Sequence, residues 1–214
     1  MRRMATAVIA ILTISSVLLP AVSMPAAQAG GPTITFAGRT LHREWVTWAA
    51  GSNTNPLVDP TFCGEIVGGR FLLNLALAAE ATYECGIPSG VTVVAAGGYA
   101  LALKPLDART DRGLRKVVNE SLEGFGPSHG RLDGEPVDLA PALGKTGVYS
   151  IAVGESSLIQ TVDPDFPDDR RRTEVAAGAW IFQISGLSVG DHRLIIRQRV
   201  FGSSARAVFI LTIT

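Results

Sequence analysis

The sequence has 214 residues, is 47% hydrophobic and 18% charged, and carries 19 basic against 19 acidic side chains. That composition excludes a disordered chain, which would lack the apolar surface to fold. The charge balance excludes the strongly basic domain that nucleic-acid binding demands.

The first thirty residues read as a secretory signal. Arg2 and Arg3 form a positive start, Ala5 to Val22 is almost wholly apolar, Pro20 breaks the run, and Ala27-Gln28-Ala29 precedes Gly30. A signal peptidase reads that order of charge, apolar core and small-residue site. The alternative is an uncleaved anchor, since a bilayer needs about 20 apolar residues; Pro20 and the Ala-x-Ala site favour cleavage. The expected division is therefore 1–29 as signal peptide and 30–214 as a single secreted β-rich domain. Without Arg2 and Arg3 the mature chain holds 17 basic and 19 acidic residues, a net charge of about −2. No later run is long and apolar enough to suggest a membrane span.

Further along, Thr33 to Phe36 alternates as a short strand. His42 to Ala50 has helical spacing, with Leu41, Trp45 and Trp48 on one side. Gly51 to Pro60 reads as a loop, and Arg70 to Leu77 as a buried strand or short helix. Cys63 and Cys85 are the only cysteines. In an exported chain one pair permits one disulfide, and closing a loop of about 20 residues stabilises by ~3 kcal/mol. Val91 to Ala96 and Tyr99 to Lys104 look like two strands about Gly97-Gly98. A helix is predicted from Asp111, with Leu114, Val117, Val118, Leu122 and Phe125 at helical spacing and Gly124 and Gly126 as its stop. Residues 127–147 read as loop, with a hairpin turn at Asp133-Gly134. Five strands are expected in the last third: 148–153, 158–162, 179–185, 192–200 and 207–214. In the fourth, Leu194, Ile196 and Val200 share one face, and Arg193, Ile195, Arg197 and Arg199 the other. These segments predict an α+β, mostly β fold: an antiparallel β-sandwich-like domain with one or two short helices.

No pattern in the chain carries chemistry on its own. His42, His129 and His192 are the histidines, and Gly-x-Ser-x-Gly is absent, although Gly154-Glu155-Ser156-Ser157 comes near it. A Ser-His-Asp set would have to assemble from distant residues. No zinc motif is present. The acidic stretch Asp163 to Asp169 suits a hard cation such as Ca²⁺ but lacks EF-hand spacing, and Arg170 to Arg172 follow at once. Trp45 and Trp48 are candidate ligand contacts if exposed and core if buried; Leu41 continues their stripe and favours core. Glu44 and Glu65 are a candidate acid–base pair. The arginines of 192–200 would attract anionic cell-surface polymers, or form an ordinary wet face crossed by acidic neighbours.

Taken together, Trp45-x-x-Trp48, Asn55-Pro56, Cys63, the apolar run 71–77, Cys85-Gly-Ile-Pro-Ser-Gly90, Leu132-Asp133-Gly134-x-Pro136 and Leu187-x-x-Gly190-Asp-His192 resemble a group of uncharacterised secreted bacterial proteins. The shared order is a tryptophan-containing opening, a Cys…Cys-x-[Val/Ile]-Pro-x-Gly core and a Gly-x-His-led β-hairpin at the end. This sequence departs at Arg70-Phe71-Leu72-Leu73, where such proteins often carry Trp-Phe-Leu. The resemblance implies export, the disulfide and a β-rich fold, and transfers no catalytic residue. The expected function is a non-catalytic extracytoplasmic binding or envelope-associated module, with no cofactor and a cell-surface polymer or protein as partner. The alternatives are a secreted hydrolase with a dispersed site and a purely structural protein.

Overall fold

A continuous apolar run, Val175-Ala-Ala-Gly-Ala-Trp-Ile-Phe182, is buried in a computed structural model that describes residues 31–54, 61–74, 80–163, 166 and 171–214. It belongs to a 14-residue strand, Arg172–Ser185, buried along almost its whole length. A strand without alternation is covered on both faces, and the surrounding elements supply that cover.

In chain order the elements are β1 (Thr33–Phe36), α1 (Arg39–Gly51), β2 (Gly64–Val67), β3 (Arg70–Leu73), β4 (Glu80–Ile87), β5 (Thr92–Leu103), α2 (Asp111–Glu123), β6 (Phe125–Leu132), β7 (Glu135–Asp138), β8 (Leu143–Ala152), α3 (Leu158–Val162), β9 (Arg172–Ser185), β10 (Gly190–Val200) and β11 (Ser203–Ile213). Six strands form the first sheet, in order β1-β9-β5-β3-β2, with β8 continuing along the edge of β9 that β1 begins. Five form the second, in order β4-β11-β10-β6-β7. Two sheets with three short helices make the fold α+β and mostly β, sandwich-like. Two pairs, β4 with β11 and β3 with β5, are parallel, so the sandwich is not purely antiparallel.

The first sheet is covered from both sides. On one, α1 presents Leu41, Trp45 and Trp48; the Trp45 and Tyr99 rings lie 5.8 Å apart, and Trp45 Nε1 donates to the Leu73 carbonyl. On the other, α2 lays Val118 and Leu122 against Gly178, where a Cβ would come within 2.6 Å of Leu122. Thr110 caps α2 by accepting from Gly113 N–H at 3.1 Å. The second sheet continues that layer. Its inner residues, among them Tyr83, Leu194, Ile196 and Phe209, share one core cluster with Phe182 and Ile184 of β9.

Several elements differ from their sequence-based expectation for local reasons. The segments 91–96 and 99–104 are one strand, β5, with a bulge where the register shifts between Ala96 and Tyr99. A Cβ on Gly97 would stand 2.2 Å from Ser128 Oγ, and one on Gly98 1.6 Å from Gln198 Oε1. The glycine pair therefore marks close approach of β5 to the second sheet, where a turn is expected from sequence. The expected strand at 158–162 is the single-turn helix α3; Ser157 caps it by accepting from Gln160 N–H, and Ile159 is buried. Residues 125–132, expected as helix end and loop, form β6 from Phe125 onward. Gly124 ends α2 in a right-handed conformation (φ −75°), so the chain passes straight into the strand. The strands expected at 148–153 and 179–185 begin earlier, at Leu143 and Arg172. The Asp133-Gly134 turn is as expected, with both residues at positive φ between β6 and β7.

Cys63 and Cys85 form the expected disulfide, with Cα atoms 5.6 Å apart. Cys63 precedes β2 at the edge of the first sheet and Cys85 lies on β4 at the edge of the second. The bond therefore joins the two layers. The signal segment and residues 55–60 and 75–79 lie outside the described residues.

Candidate functional site

The candidate residues of the first sheet are occupied by structural contacts. Trp45 is fully enclosed, and Trp48, 5% exposed, donates its Nε1–H to Glu65 at 2.6 Å. Both rings are core, and neither presents a platform to a ligand. Glu44 pairs with Arg70 at 3.1 Å, while Glu65 accepts from Trp48 and Thr54, so neither of the candidate acid–base pair is a free carboxylate. His42 is buried with its ring nitrogens 3.1 Å from the carbonyls of Gly38 and Ala179, tying α1 to β9. Tyr149 donates to the Arg43 carbonyl beneath the Arg43 guanidinium, and burial pushes its phenol up to about 12. Ser157 of the Gly154 to Ser157 stretch serves as the cap of α3. Of the acidic stretch 163–169 only Asp163 and Phe166 are described, and Phe166 is buried. Among the described residues no group of three or more His, Cys, Asp or Glu side chains could hold a metal ion.

The fold does assemble one Ser-His-Asp arrangement. His192 at the start of β10 places Nδ1 2.6 Å from Asp133 Oδ2, and Nε2 3.3 Å from Ser188 Oγ. Nε2 is also 3.0 Å from the Ser188 carbonyl oxygen. A carbonyl only accepts, so Nε2 carries a proton, and the carboxylate requires one on Nδ1. When protonated, the ring donates on both sides, an arrangement that favours the imidazolium. Burial would lower its pKa, but the bonds to Asp133 and the Ser188 carbonyl and the charges of Asp133 and Asp191 raise it overall. A serine nucleophile needs the Nε2 lone pair as its base, and here that position is taken. Asp133 Oδ1 meanwhile accepts from Arg193 N–H at 2.7 Å. The three residues clamp the β6–β7 turn to the loop before β10.

The outer face of the second sheet is different. β6 and β10 alternate, so every second side chain leaves the core, and on β11 Arg206 and Thr212 point the same way. The registers place Asp138, His129, Arg197, Arg206 and Glu80 directly opposite one another on β7, β6, β10, β11 and β4. The row has an acid at each end and three basic side chains between. Glu80 pairs with Arg206, and Asp138 accepts from Ala140 N–H. Among the described residues no acidic side chain pairs with His129 or Arg197, nor with the exposed Arg131 and Arg199 beside them. Of the arginines of β10, Arg197 is thus crossed on both sides by other bases. Directly opposed like charges destabilise a sheet, so packing gives no reason for this row.

Two concavities lie along it. One, of about 380 Å³, is lined by Arg131, Pro136, Val137, Ile195 and, at its β7 end, Asp138; the other, of about 500 Å³, by Pro127, Arg199, Ser204 and Arg206. Both include His129 and Arg197, so they abut as one trough across the strands. A third concavity, at the far end of β5 and β9, also holds bases, but there Lys104 is bonded to Glu174 at 2.5 Å and Arg172 to Ser150. The bond to Glu174 raises the Lys104 pKa.

Sequence reasoning found the arginines of β10 and missed Arg206, His129 and Arg131. The signal was the turn between β10 and β11. Phe201-Gly202, both at positive φ, is a two-residue hairpin turn. Once it is placed, Val200 faces Ser203 and Arg197 must face Arg206.

No family model matches the chain, and no curated protein matches it. Two solved structures are similar at low identity. PbICP-C in complex with falcipain-2 aligns at 8% identity over 69% of this chain and 100% of that one, with a TM-score of 0.29. The solution structure of amebosin aligns at 9% identity over 63% and 96%, with a TM-score of 0.21. At those scores the likenesses carry no functional argument.

Proposed function

We propose that this chain is exported by its N-terminal signal and acts as a non-catalytic extracytoplasmic binding module, whose ligand is anionic and docks on the outer face of the second sheet. The observation that carries the reading is the row His129-Arg197-Arg206, flanked by Arg131 and Arg199, in which only Arg206 has an acidic partner among the described residues. Arginine is always charged and offers a planar fork of donors to carboxylate, sulfate or phosphate. An inter-layer disulfide suits an oxidising compartment. Among the described residues no helix is long and apolar enough to cross a membrane. The hydrolase alternative loses support because, in the Ser-His-Asp arrangement assembled among the described residues, Nε2 of His192 faces a carbonyl oxygen.

The test has two parts. The secreted protein should begin at Gly30 by intact mass; a chain retaining Met1 contradicts export by cleavage. Purified residues 30–214 should bind isolated cell-envelope polymers saturably. The Arg197→Glu/Arg199→Glu variant should bind at least ten-fold more weakly with unchanged thermal unfolding. Equal binding by both proteins overturns the surface assignment.

A further inference from the structure

The shape and lining of the trough narrow the ligand class further. We infer that the trough formed by Arg131, Ile195, Arg197, Arg199 and Arg206 around His129 takes a linear acidic polysaccharide whose carboxylate or sulfate groups recur along the chain. This rests on the reading of that face as the binding surface.

Three observations select the class. The first is extent. The two concavities share His129 and Arg197, so the site runs from β7 across β6 and β10 to β11. Neighbouring strands are about 4.8 Å apart and alternate residues on a strand about 6.8 Å apart. Cations at that spacing suit a chain of repeated charges rather than one compact anion. The second is the floor. Ile195, Val137, Pro127 and Pro136 place apolar surface between the arginines. The C–H faces of sugar rings can pack on such a floor, whereas a polyphosphate has nothing to bury there. The third is what the trough lacks. Among the described residues no Phe, Tyr or Trp lines it, so nucleobases find no stacking platform there. From the edge strand β7 it runs inward across the faces of β6, β10 and β11. Along those three strands the backbone donors are consumed by the sheet, and an acidic peptide lying across them cannot add itself as a strand.

Calorimetric titration of residues 30–214 tests this with four probes at one ionic strength: oligogalacturonates of increasing length, their methyl-esterified counterparts, polyphosphate and poly-glutamate. Affinity for oligogalacturonate is expected to rise with length until the trough is filled. Methyl esterification should weaken it at least ten-fold, and polyphosphate and poly-glutamate should bind more weakly than the uronate. Ile195→Thr, which keeps a β-branched strand residue, should weaken uronate binding several-fold and leave polyphosphate binding unchanged. If all three polyanions bind alike, with the same dependence on Arg197 and Arg199 and none on Ile195, the polysaccharide assignment falls while the anionic surface stands. If no polyanion binds in a manner that depends on Arg197 and Arg199, both fall.

Discussion

The two sheets of this protein solve opposite problems. β9 of the first sheet is buried on both faces, and its tryptophans, tyrosine and histidine neighbours are all engaged in packing or internal hydrogen bonds. β10 of the second sheet is buried on one face only and on the other aligns Arg197 with Arg206 and His129 of its neighbours. Two-sided burial leaves β9 no open face on which to meet a ligand. The open face of the second carries opposed like charges that add nothing to folding. A feature that stability does not explain is where function is expected.

The contrast can be broken most severely at the first sheet. Trp45→Ala removes a fully enclosed ring between α1 and β5 and should destabilise by about 3–5 kcal/mol, measured by denaturant unfolding. A loss below about 1 kcal/mol would mean that α1 is not part of the core. Next in size is the bond between the layers. Replacing Cys63 and Cys85 together by Ala should cost about 3 kcal/mol. Arginine-dependent binding under native conditions should survive, because neither cysteine touches the trough.

A smaller effect lies at the His192 clamp and depends on pH. The folded imidazole holds its proton above its ordinary value near 6.5. Its stabilisation is therefore complete below about pH 6.5 and is lost as pH rises through the higher folded value. Asp133→Asn keeps an acceptor for Arg193 N–H and a residue that tolerates the left-handed turn, and removes the charge. It should be less stable than the wild type by about 1 kcal/mol at pH 5, a figure reduced by the partial exposure of Asp133. The difference should vanish in alkaline solution; one that persists at pH 10 would contradict the imidazolium.

The smallest effect has the opposite sign. Arg197→Thr relieves the repulsion with Arg206 and His129 and places a good strand former on the wet face. Stability should be unchanged or higher by about 0.2–1 kcal/mol, while anion binding is lost. Destabilisation beyond about 1 kcal/mol would show that Arg197 is structural after all, and would erase the distinction between the sheets.

Alternation made β10 of the second sheet legible in the sequence, whereas β6 and β7 read as loop. The period-two pattern of 192–200 and the Asp133-Gly134 turn gave the face of each side chain correctly. The helix from Asp111 was legible from its spacing. The first sheet was harder because it does not alternate. In Val175-Ala-Ala-Gly-Ala, small residues accommodate α2, and their run gives no period by which to find the strand start at Arg172. Gly97-Gly98 read as a turn because glycine signals both turn and close approach, and only the positions of Ser128 and Gln198 separate the two. The candidate site was half legible. The arginines of β10 were visible, but their neighbours follow from the β10–β11 and β6–β10 registers, the second of which is a contact between distant segments.

The most direct test of the difference between the sheets is a backbone amide chemical-shift map of residues 30–214 titrated with an oligogalacturonate. Perturbations should cluster at 127–131, 195–199 and 204–206, on the outer face of β6, β10 and β11, and leave α1 and β9 unmoved. Shifts centred instead on the Lys104, Arg109 and Arg172 concavity, or spread evenly over the molecule, would contradict the assignment of binding to the open face of the second sheet.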